Sequence, residues 1–277
     1  MKQFFSLAMS VIALLFVGCE PIAPEVIGVF SVSETKQVTF SPGNLQYTQS
    51  TNTWSFASAQ YEMIGTDNVT GVSVPSGPSG DAALADKIDL FGWSGSTGYA
   101  KFGVSTYTFY ADYSGSFVDW GTNKIGNDAP NTWRTLTDNE WEYVVFNRPN
   151  ASSLCGVAQV NGVNGLILLP DDWACPSGIT FKSGFHSSYG VDYYAAYQTF
   201  TANQWSLLEG AGAVFLPAAG YRSCSHVGDV QDSGRYWSAT ENDSYYAVCL
   251  YFGSDEARMG NVNRSCGHSV RLVKDLQ

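Results

Sequence analysis

The C-terminal part of the chain alternates apolar and polar residues in a pattern that predicts short β-strands. Leu250 and Phe252 fall on one side of an extended chain, whereas Cys249, Tyr251 and Gly253 fall on the other, because successive side chains of a strand point to opposite faces. We therefore expect the first face to pack against a core and the second to be presented to solvent. The same alternation recurs in the runs that follow.

Two helices are predicted by their N-terminal caps. Residues 137–140 read Thr-Asp-Asn-Glu and residues 201–204 read Thr-Ala-Asn-Gln. This is the spacing of a capping box, in which the Thr side chain accepts a helix amide and the Glu or Gln side chain reaches back. Pro149 prevents continuation of the first helix. Apolar runs that end in proline, residues 166–170 and 213–217, follow the helices and are predicted strands.

The rest of the chain favours short strands joined by turns. Gly, Pro, Asn and Ser separate brief apolar runs from Val29 onward, and residues 66–81 are predicted to form a surface loop. The chain is 14% aromatic and 14% charged, with 28 glycines, which is typical of a loop-rich domain rather than of a helical bundle or a disordered segment. We predict a single α+β domain at residues 28–274, with short, mostly antiparallel strands and two main helices. Two smaller domains are the alternative.

The N-terminus has the features of a bacterial lipoprotein signal peptide. An apolar run at residues 4–17, too short to span a membrane, leads to a glycine and then Cys19. We expect residues 1–18 to be removed, Cys19 to carry acyl chains and residues 19–27 to form an extended tether. The domain would then lie outside the cytoplasm, on the outer membrane and cell surface of a Gram-negative bacterium, and would contact the membrane through the lipid anchor only. An export signal without lipidation is the alternative.

Charge and reactive residues narrow the classes of function. The formal net charge is −11 and no basic run occurs, so neither nucleic acid nor an anionic membrane is an expected partner. The three histidines lack metal-ligand spacing, and we predict no metal, no cofactor and no catalytic residue. The oxygen-bearing side chains of residues 241–243 leave calcium as an alternative. Apart from Cys19, five cysteines remain, an odd number that cannot pair completely; Cys155 with Cys175 is one pair that could form.

Six motifs, taken together and in this order, resemble one protein family. They occupy residues 38–47, 133–141, 168–173, 215–222, 236–238 and 269–273. Across nearly all of its mature length, the chain resembles the Fibrobacter major paralogous domain family of Bacteroidetes-type surface lipoproteins. The resemblance implies a C-type lectin-like fold, related to that of formylglycine-generating enzymes and of variable proteins that retroelements diversify.

In such variable proteins, a C-terminal surface of strands and loops carries positions mutated at adenines, and residues 222–271 match that placement. Most polar residues here are of types reached by changing only the adenines of an asparagine codon, and lysine is absent between Arg222 and Arg271. Glu241, Glu256 and Gln231 do not fit. The resemblance implies a target of a diversity-generating retroelement; an ordinary polar β-surface is the alternative.

We predict that residues 222–271 bind a macromolecular or cell-surface ligand, protein or glycan, without catalysis; the oligomeric state is left open. The predicted ligand-binding residues are Ser223, Cys224, His226, Asp229, Arg235, Asp243, Tyr245, Cys249, Tyr251, Arg258, Asn261, Asn263, Ser265, Cys266 and His268. Tyr245, Tyr251 and Arg235 are the expected energetic anchors, since aromatic and guanidinium groups dominate binding hot spots. The alternatives are a structural surface or fimbrial-type adhesion component, and a thiol oxidase of the formylglycine-generating type with Cys249 and Cys266 as its cysteine pair.

Overall fold

The computed structural model describes residues 28–73, 82–107 and 109–276. The predicted signal peptide, Cys19 and the tether lie outside these residues. The strands are β1 (Phe30–Ser31), β2 (Gln37–Phe40), β3 (Leu45–Thr48), β4 (Thr53–Phe56), β5 (Val69–Ser73), β6 (Ala82–Leu84), β7 (Lys87–Ile88), β8 (Cys155–Val160), β9 (Val163–Leu168), β10 (Thr199–Phe200), β11 (Val214–Pro217), β12 (Tyr221–Ser223), β13 (His226–Gly228), β14 (Gly234–Glu241), β15 (Tyr246–Phe252), β16 (Ala257–Asn263) and β17 (Val273–Asp275). The helices are α1 (Asp138–Glu142), α2 (Asp192–Tyr197) and α3 (Ala202–Gly210).

Both predicted helices form with their predicted caps. In α1 and α3, the hydroxyl of the capping Thr accepts a hydrogen bond of 3.3 Å from the amide three residues on. The side chains of Glu140 and Gln204 accept in return from the Thr amides at 2.9 Å. A π-helical turn at Tyr143–Asn147 extends α1, and the extended backbone of Arg148 before Pro149 ends it. The short helix α2 has no side-chain cap, and the sequence patterns did not predict it.

Antiparallel pairing dominates the sheets. The largest sheet has the order β10-β8-β9-β11, in which β10 pairs in parallel with β8 and the other pairs are antiparallel. A second sheet, β14-β15-β16, is antiparallel throughout. An α+β fold of short, mostly antiparallel strands is thereby confirmed. The loop predicted at residues 66–81 is wrong at its start, because β5 forms there and pairs with β6.

These two sheets lie on opposite sides of one shared hydrophobic core. Leu166 of the largest sheet belongs to the same buried cluster as Leu250 and Phe252 of the second sheet, together with Trp141 of α1. The outer side of the largest sheet meets α3 in another cluster, which contains Trp205. Both predicted helices therefore pack on strands, as their apolar positions led us to expect.

Residues from both halves of the chain share these cores. Strand β2 pairs with β17, with Thr39 opposite Lys274, and Phe30 lies in the same core as Trp141. Leu45 lies with Val270 in a further core on the outer side of the second sheet. The described residues thus favour the single predicted domain over two smaller domains with separate cores.

Strand β15 is buried on both of its faces over much of its length. Leu250 and Phe252 point into the shared core, whereas Ala247 and Cys249 point into the core that holds Trp237, and all five side chains have no exposed surface. The predicted division of residues between the two faces is correct. The prediction that Cys249 is presented to solvent is wrong, because the core around Trp237 covers the strand face at Ala247 and Cys249.

Replacing Phe252 by Ala tests the two-sided packing. The ring of Phe252 stacks on Tyr236, with ring centroids 6.1 Å apart, and occupies the space beside Gly234, its cross-strand neighbour. We expect Phe252→Ala to lower the free energy of unfolding by about 3–5 kcal/mol, measured by urea denaturation. The matched control is Leu207→Ala on α3, whose side chain is 51% exposed and should change stability by about 0.5 kcal/mol or less. Equal effects of the two substitutions would contradict the buried position of Phe252.

Candidate functional site

The open end of the second sheet carries three predicted residues in direct register. Arg235 on β14, Tyr251 on β15 and Arg258 on β16 are successive cross-strand partners. The guanidinium of Arg258 lies 4.5 Å from the centroid of the Tyr251 ring, and that of Arg235 lies 5.5 Å from it. These are cation–π distances, so the three side chains support one another across the sheet.

Tyr221 of β12 extends this row on the other side of Arg235. The Arg235 guanidinium lies 4.3 Å from the Tyr221 ring centroid, so it is placed between two phenol rings. We call Tyr221, Arg235, Tyr251 and Arg258 the arginine–tyrosine ladder. Asp229 binds the Nη2 atom of Arg235 at 2.9 Å, which fixes the guanidinium within the ladder. Arg258 at the outer end of the ladder forms an ion pair with Glu256. Both side chains are exposed, so this ion pair contributes little to stability.

A pocket of about 250 Å³ lies beside the ladder. Its lining residues are Tyr221, Arg235, Tyr246, Asn261, Val262, Asn263, Cys266 and His268. Five of these were predicted from the sequence: Arg235, Asn261, Asn263, Cys266 and His268. The structure thus brings together predicted residues from β14, from β16 and from the segment after β16.

The segment after β16 turns sharply so that Cys266 and His268 reach the pocket. The Asn263 carboxamide oxygen accepts from the Ser265 amide at 2.9 Å and from the Ser265 hydroxyl at 2.8 Å. The Cys266 amide donates to the Asn263 carbonyl at 3.0 Å. Ser265 is only 3% exposed, so its prediction as a ligand contact is wrong: its hydroxyl is used to hold the turn.

His268 forms a buried part of the pocket wall rather than an exposed contact. The imidazole is 1% exposed and packs on the Trp237 ring at a centroid distance of 4.5 Å. Neither ring nitrogen has a hydrogen-bond partner. Burial, followed by the nearby cations Arg235 and Arg222, holds the pKa of His268 well below its usual range, so the ring is neutral at neutral pH. The predicted exposed position is wrong, but the residue does line the pocket.

The cysteines do not form a reactive pair in this structure. The possible pairing of Cys155 with Cys175 is not observed, and Cys249 and Cys266 are not joined by a disulfide. Burial raises the pKa of the Cys249 thiol to about 12 and also raises the pKa of Cys266. A thiol without solvent access that stays protonated is a poor nucleophile, and Cys249 has no exposed surface.

The other predicted residues lie around the turns that border the second sheet. Ser223 and Cys224 are partly buried, and His226, Asp243 and Tyr245 are exposed. Asp243 has a structural role, because its Oδ1 atom accepts from the amides of Tyr245 and Tyr246 at 2.8 and 2.9 Å.

Both carboxylates of the oxygen-bearing run at residues 241–243 are engaged by groups of the protein itself. The Glu241 carboxylate pairs with Arg264. Within residues 28–73, 82–107 and 109–276, no group of three or more His, Cys, Asp or Glu is placed to hold a metal ion.

Further tyrosines adjoin the ladder and were missed by the sequence patterns. Tyr189, which precedes α2, is 45% exposed, and Tyr193, in the first turn of α2, is 37% exposed. The Tyr189 ring lies against Gly253, and partial burial together with nearby Asp232 and Tyr251 raises the pKa of its phenol. Tyr246, 43% exposed, borders the pocket. Their signal in the sequence is the abundance of tyrosine alone, which does not show which rings meet.

Comparison with protein families, with characterised proteins and with solved structures finds no match for this chain. The resemblance to the Fibrobacter major paralogous domain family therefore stays a prediction. In the parts of the chain that the structure describes, no helix is long and apolar enough to cross a membrane.

Alkylation of the folded protein tests the burial of the thiols. Cys175 is exposed, whereas Cys249 is fully buried. With iodoacetamide at about pH 8, we expect Cys175 to react roughly 100-fold faster than Cys249 or more, because Cys249 must wait for local opening. Since the pKa of Cys249 is raised to about 12, this thiol should stay predominantly protonated in the folded protein when the pH is raised by one unit. Mass spectrometry of peptides gives both alkylation rates. Unfolding in urea is the control and should make the two rates equal. Equal rates in the folded protein would show that the core around Trp237 does not cover Cys249.

Proposed function

We propose that this protein is a surface lipoprotein with a C-type lectin-like fold that recognises a macromolecular ligand, without catalysis, through its C-terminal face. That face comprises the arginine–tyrosine ladder, the pocket beside it and the adjoining tyrosines. The observation that carries the proposal is the register of the ladder, which aligns three partly exposed side chains across neighbouring strands.

The chemistry of the ladder suits recognition. Tyr and Arg supply large contact areas and are enriched in binding hot spots, and tyrosine loses little conformational entropy when it is ordered. The small polar residues near them, among them Asn261 and Asn263, add adaptable hydrogen-bonding groups. A site is most effective when its side chains are held on rigid elements, and the second sheet has buried cores on both sides of β15.

The same division between framework and open positions supports a role as a retroelement-diversified protein. Trp237, Leu250 and Phe252 are fully buried, as is Arg271, whereas Arg258 and Asn261 are exposed on the same sheet. We infer that variation would be concentrated at the open positions. The neighbouring DNA gives a direct test: a reverse transcriptase and a near-copy of the coding segment for residues 222–271, differing at adenines, are expected. Their absence would make ordinary surface adhesion the better explanation.

Lipidation is tested by metabolic labelling. The apolar run that leads to Cys19 motivates the proposal that this residue is acylated and anchors the protein. Labelled fatty acid should enter the wild-type protein and be lost in Cys19→Ala. Unchanged labelling of the variant would contradict acylation at this residue.

Recognition through the ladder is tested by removing two of its side chains together. Cells that display the full-length protein or the Arg235→Ser/Tyr251→Ser variant would be compared for adhesion to printed glycans and immobilised cell-surface proteins. We expect a ligand of the wild type to be bound at least about 30-fold more weakly by the variant, since hot-spot truncation costs about 2 kcal/mol or more. Circular dichroism should show that the variant stays folded.

The matched control is Leu207→Ser, which changes an exposed residue of α3. It should bind as the wild type does. Equal binding by the ladder variant, or no ligand for the wild type across both panels, would contradict recognition through this face.

A further inference from the structure

Behind the pocket lies a buried cation that has no counter-charge. Arg222 is fully buried, and none of its three side-chain nitrogens is bonded to a carboxylate or a carbonyl. Its titratable neighbours include Tyr113 and Cys266. Burial raises the pKa of both groups, so neither supplies a counter-charge at neutral pH, and the Tyr113 hydroxyl, which donates to the Tyr107 carbonyl at 2.7 Å, can offer Arg222 only a neutral acceptor. A guanidinium removed from water without a partner is strongly destabilising, so this arrangement needs a compensating group.

The backbone places this cation directly across a strand from the pocket. Arg222 and Gly267 form an isolated antiparallel bridge, with both backbone hydrogen bonds made, at 2.8 and 2.7 Å. The guanidinium packs so closely against Gly267 that a Cβ atom added to this glycine would lie only 2.9 Å from Nε of Arg222. Cys266 and His268, on either side of Gly267, line the pocket. Because neighbouring residues of an extended chain point to opposite sides, one residue separates the cation from the pocket.

The pocket itself offers hydrogen-bond donors that are not used. His268 is almost fully buried, lines the pocket and leaves both ring nitrogens unpartnered, and a neutral imidazole carries one N–H donor. Arg235 also lines the pocket, and Asp229 engages it through Nη2. The charges of Arg235 and Asp229 offset each other, which leaves the charge of Arg222 uncompensated. This wall is therefore a locally positive site in a protein whose net charge is −11.

We propose that the pocket binds a carboxylate group of the ligand. Its single negative charge compensates Arg222 across Gly267, and its oxygens accept hydrogen bonds from Arg235 beside the buried His268 ring. A monoanion fits because one positive charge is left over, whereas a phosphate dianion would bring an excess negative charge. The volume of about 250 Å³ suits one functional group of a ligand rather than a whole drug-sized molecule. This assignment rests on the proposed function, since the rest of the ligand would lie on the ladder.

Acetate is the probe, and acetamide is its neutral control of the same shape. The full-length protein in detergent micelles would be titrated with each at constant ionic strength near neutral pH, while NMR follows the imidazole signals of the three histidines. We expect acetate to shift the His268 signals saturably and at least tenfold more tightly than acetamide or inorganic phosphate. The signals of His186 and His226, which do not line the pocket, should not shift. Equal binding of acetate and acetamide, tighter binding of phosphate, or no saturable shift with acetate would overturn the proposal.

Arg222→Met removes the charge and keeps much of the volume. We expect this variant to bind acetate at least tenfold more weakly and, without acetate, to unfold at the same denaturant concentration as the wild type or a higher one. Wild-type acetate affinity in the folded variant would overturn the proposal. If the variant does not fold, Arg235→Met on the partly exposed wall should also weaken acetate binding at least tenfold, and unchanged affinity there would overturn it equally.

The acetate titration requires no macromolecular ligand, so its outcome is separate from that of the adhesion assay. Loss of adhesion in the Arg235→Ser/Tyr251→Ser variant, combined with no acetate binding by the wild type, would overturn the carboxylate site and leave recognition through the ladder standing. Acetate binding with no ladder-dependent adhesion would overturn the proposed function alone. If both hold, acetate should compete with adhesion and acetamide should not.

Discussion

The burial of β15 on both faces is the constraint on which the rest of the C-terminal structure depends. One face contributes Leu250 and Phe252 to the core shared with the largest sheet, and the other contributes Ala247 and Cys249 to the core around Trp237. A strand held from both sides cannot shift its register without moving an apolar residue out of a core. The face that carries Cys249 becomes open only towards Tyr251. The fold therefore fixes both the rigidity and the extent of the proposed binding surface.

Buried arginines tie this region to the rest of the molecule, and they show why Arg222 is different. Arg271 donates to the carbonyls of Ser41 and Phe215, which joins the last segment to early strands, and burial lowers its pKa to about 10. Arg264 pairs with Glu241 and lies 4.4 Å from the ring centroid of Trp93. Each of these guanidinium groups has acceptors within the protein. Arg222 has no carboxylate or carbonyl acceptor, and it lies against the pocket, where an external anion can supply the missing charge.

Features that depend on neighbouring residues could be predicted from the sequence, and features that depend on distant packing could not. The two capping boxes and the face assignment of Leu250 and Phe252 follow from local spacing, and the structure confirms them. The sequence does not show that residues from the first half of the chain cover Cys249, or that Trp237 packs on His268. Five residues of the pocket wall are among the predicted ligand-binding residues, because they cluster in one segment of the chain. Its tyrosines were missed, because their sequence pattern does not differ from that of other tyrosines.

Two of the three residues that depart from the adenine-derived pattern have structural explanations. Gln231 accepts from the Asn164 amide at 2.7 Å and has a positive φ of 69°, and Glu241 neutralises buried Arg264. Residues that fit the pattern are not all open to ligand, since Ser265 is buried and holds a turn. Codon-derived composition therefore overestimates the binding surface, and burial is the physical filter that corrects it. Positions that are both of the expected type and accessible, such as Arg258 and Tyr251, can change without removing a contact on which the fold depends.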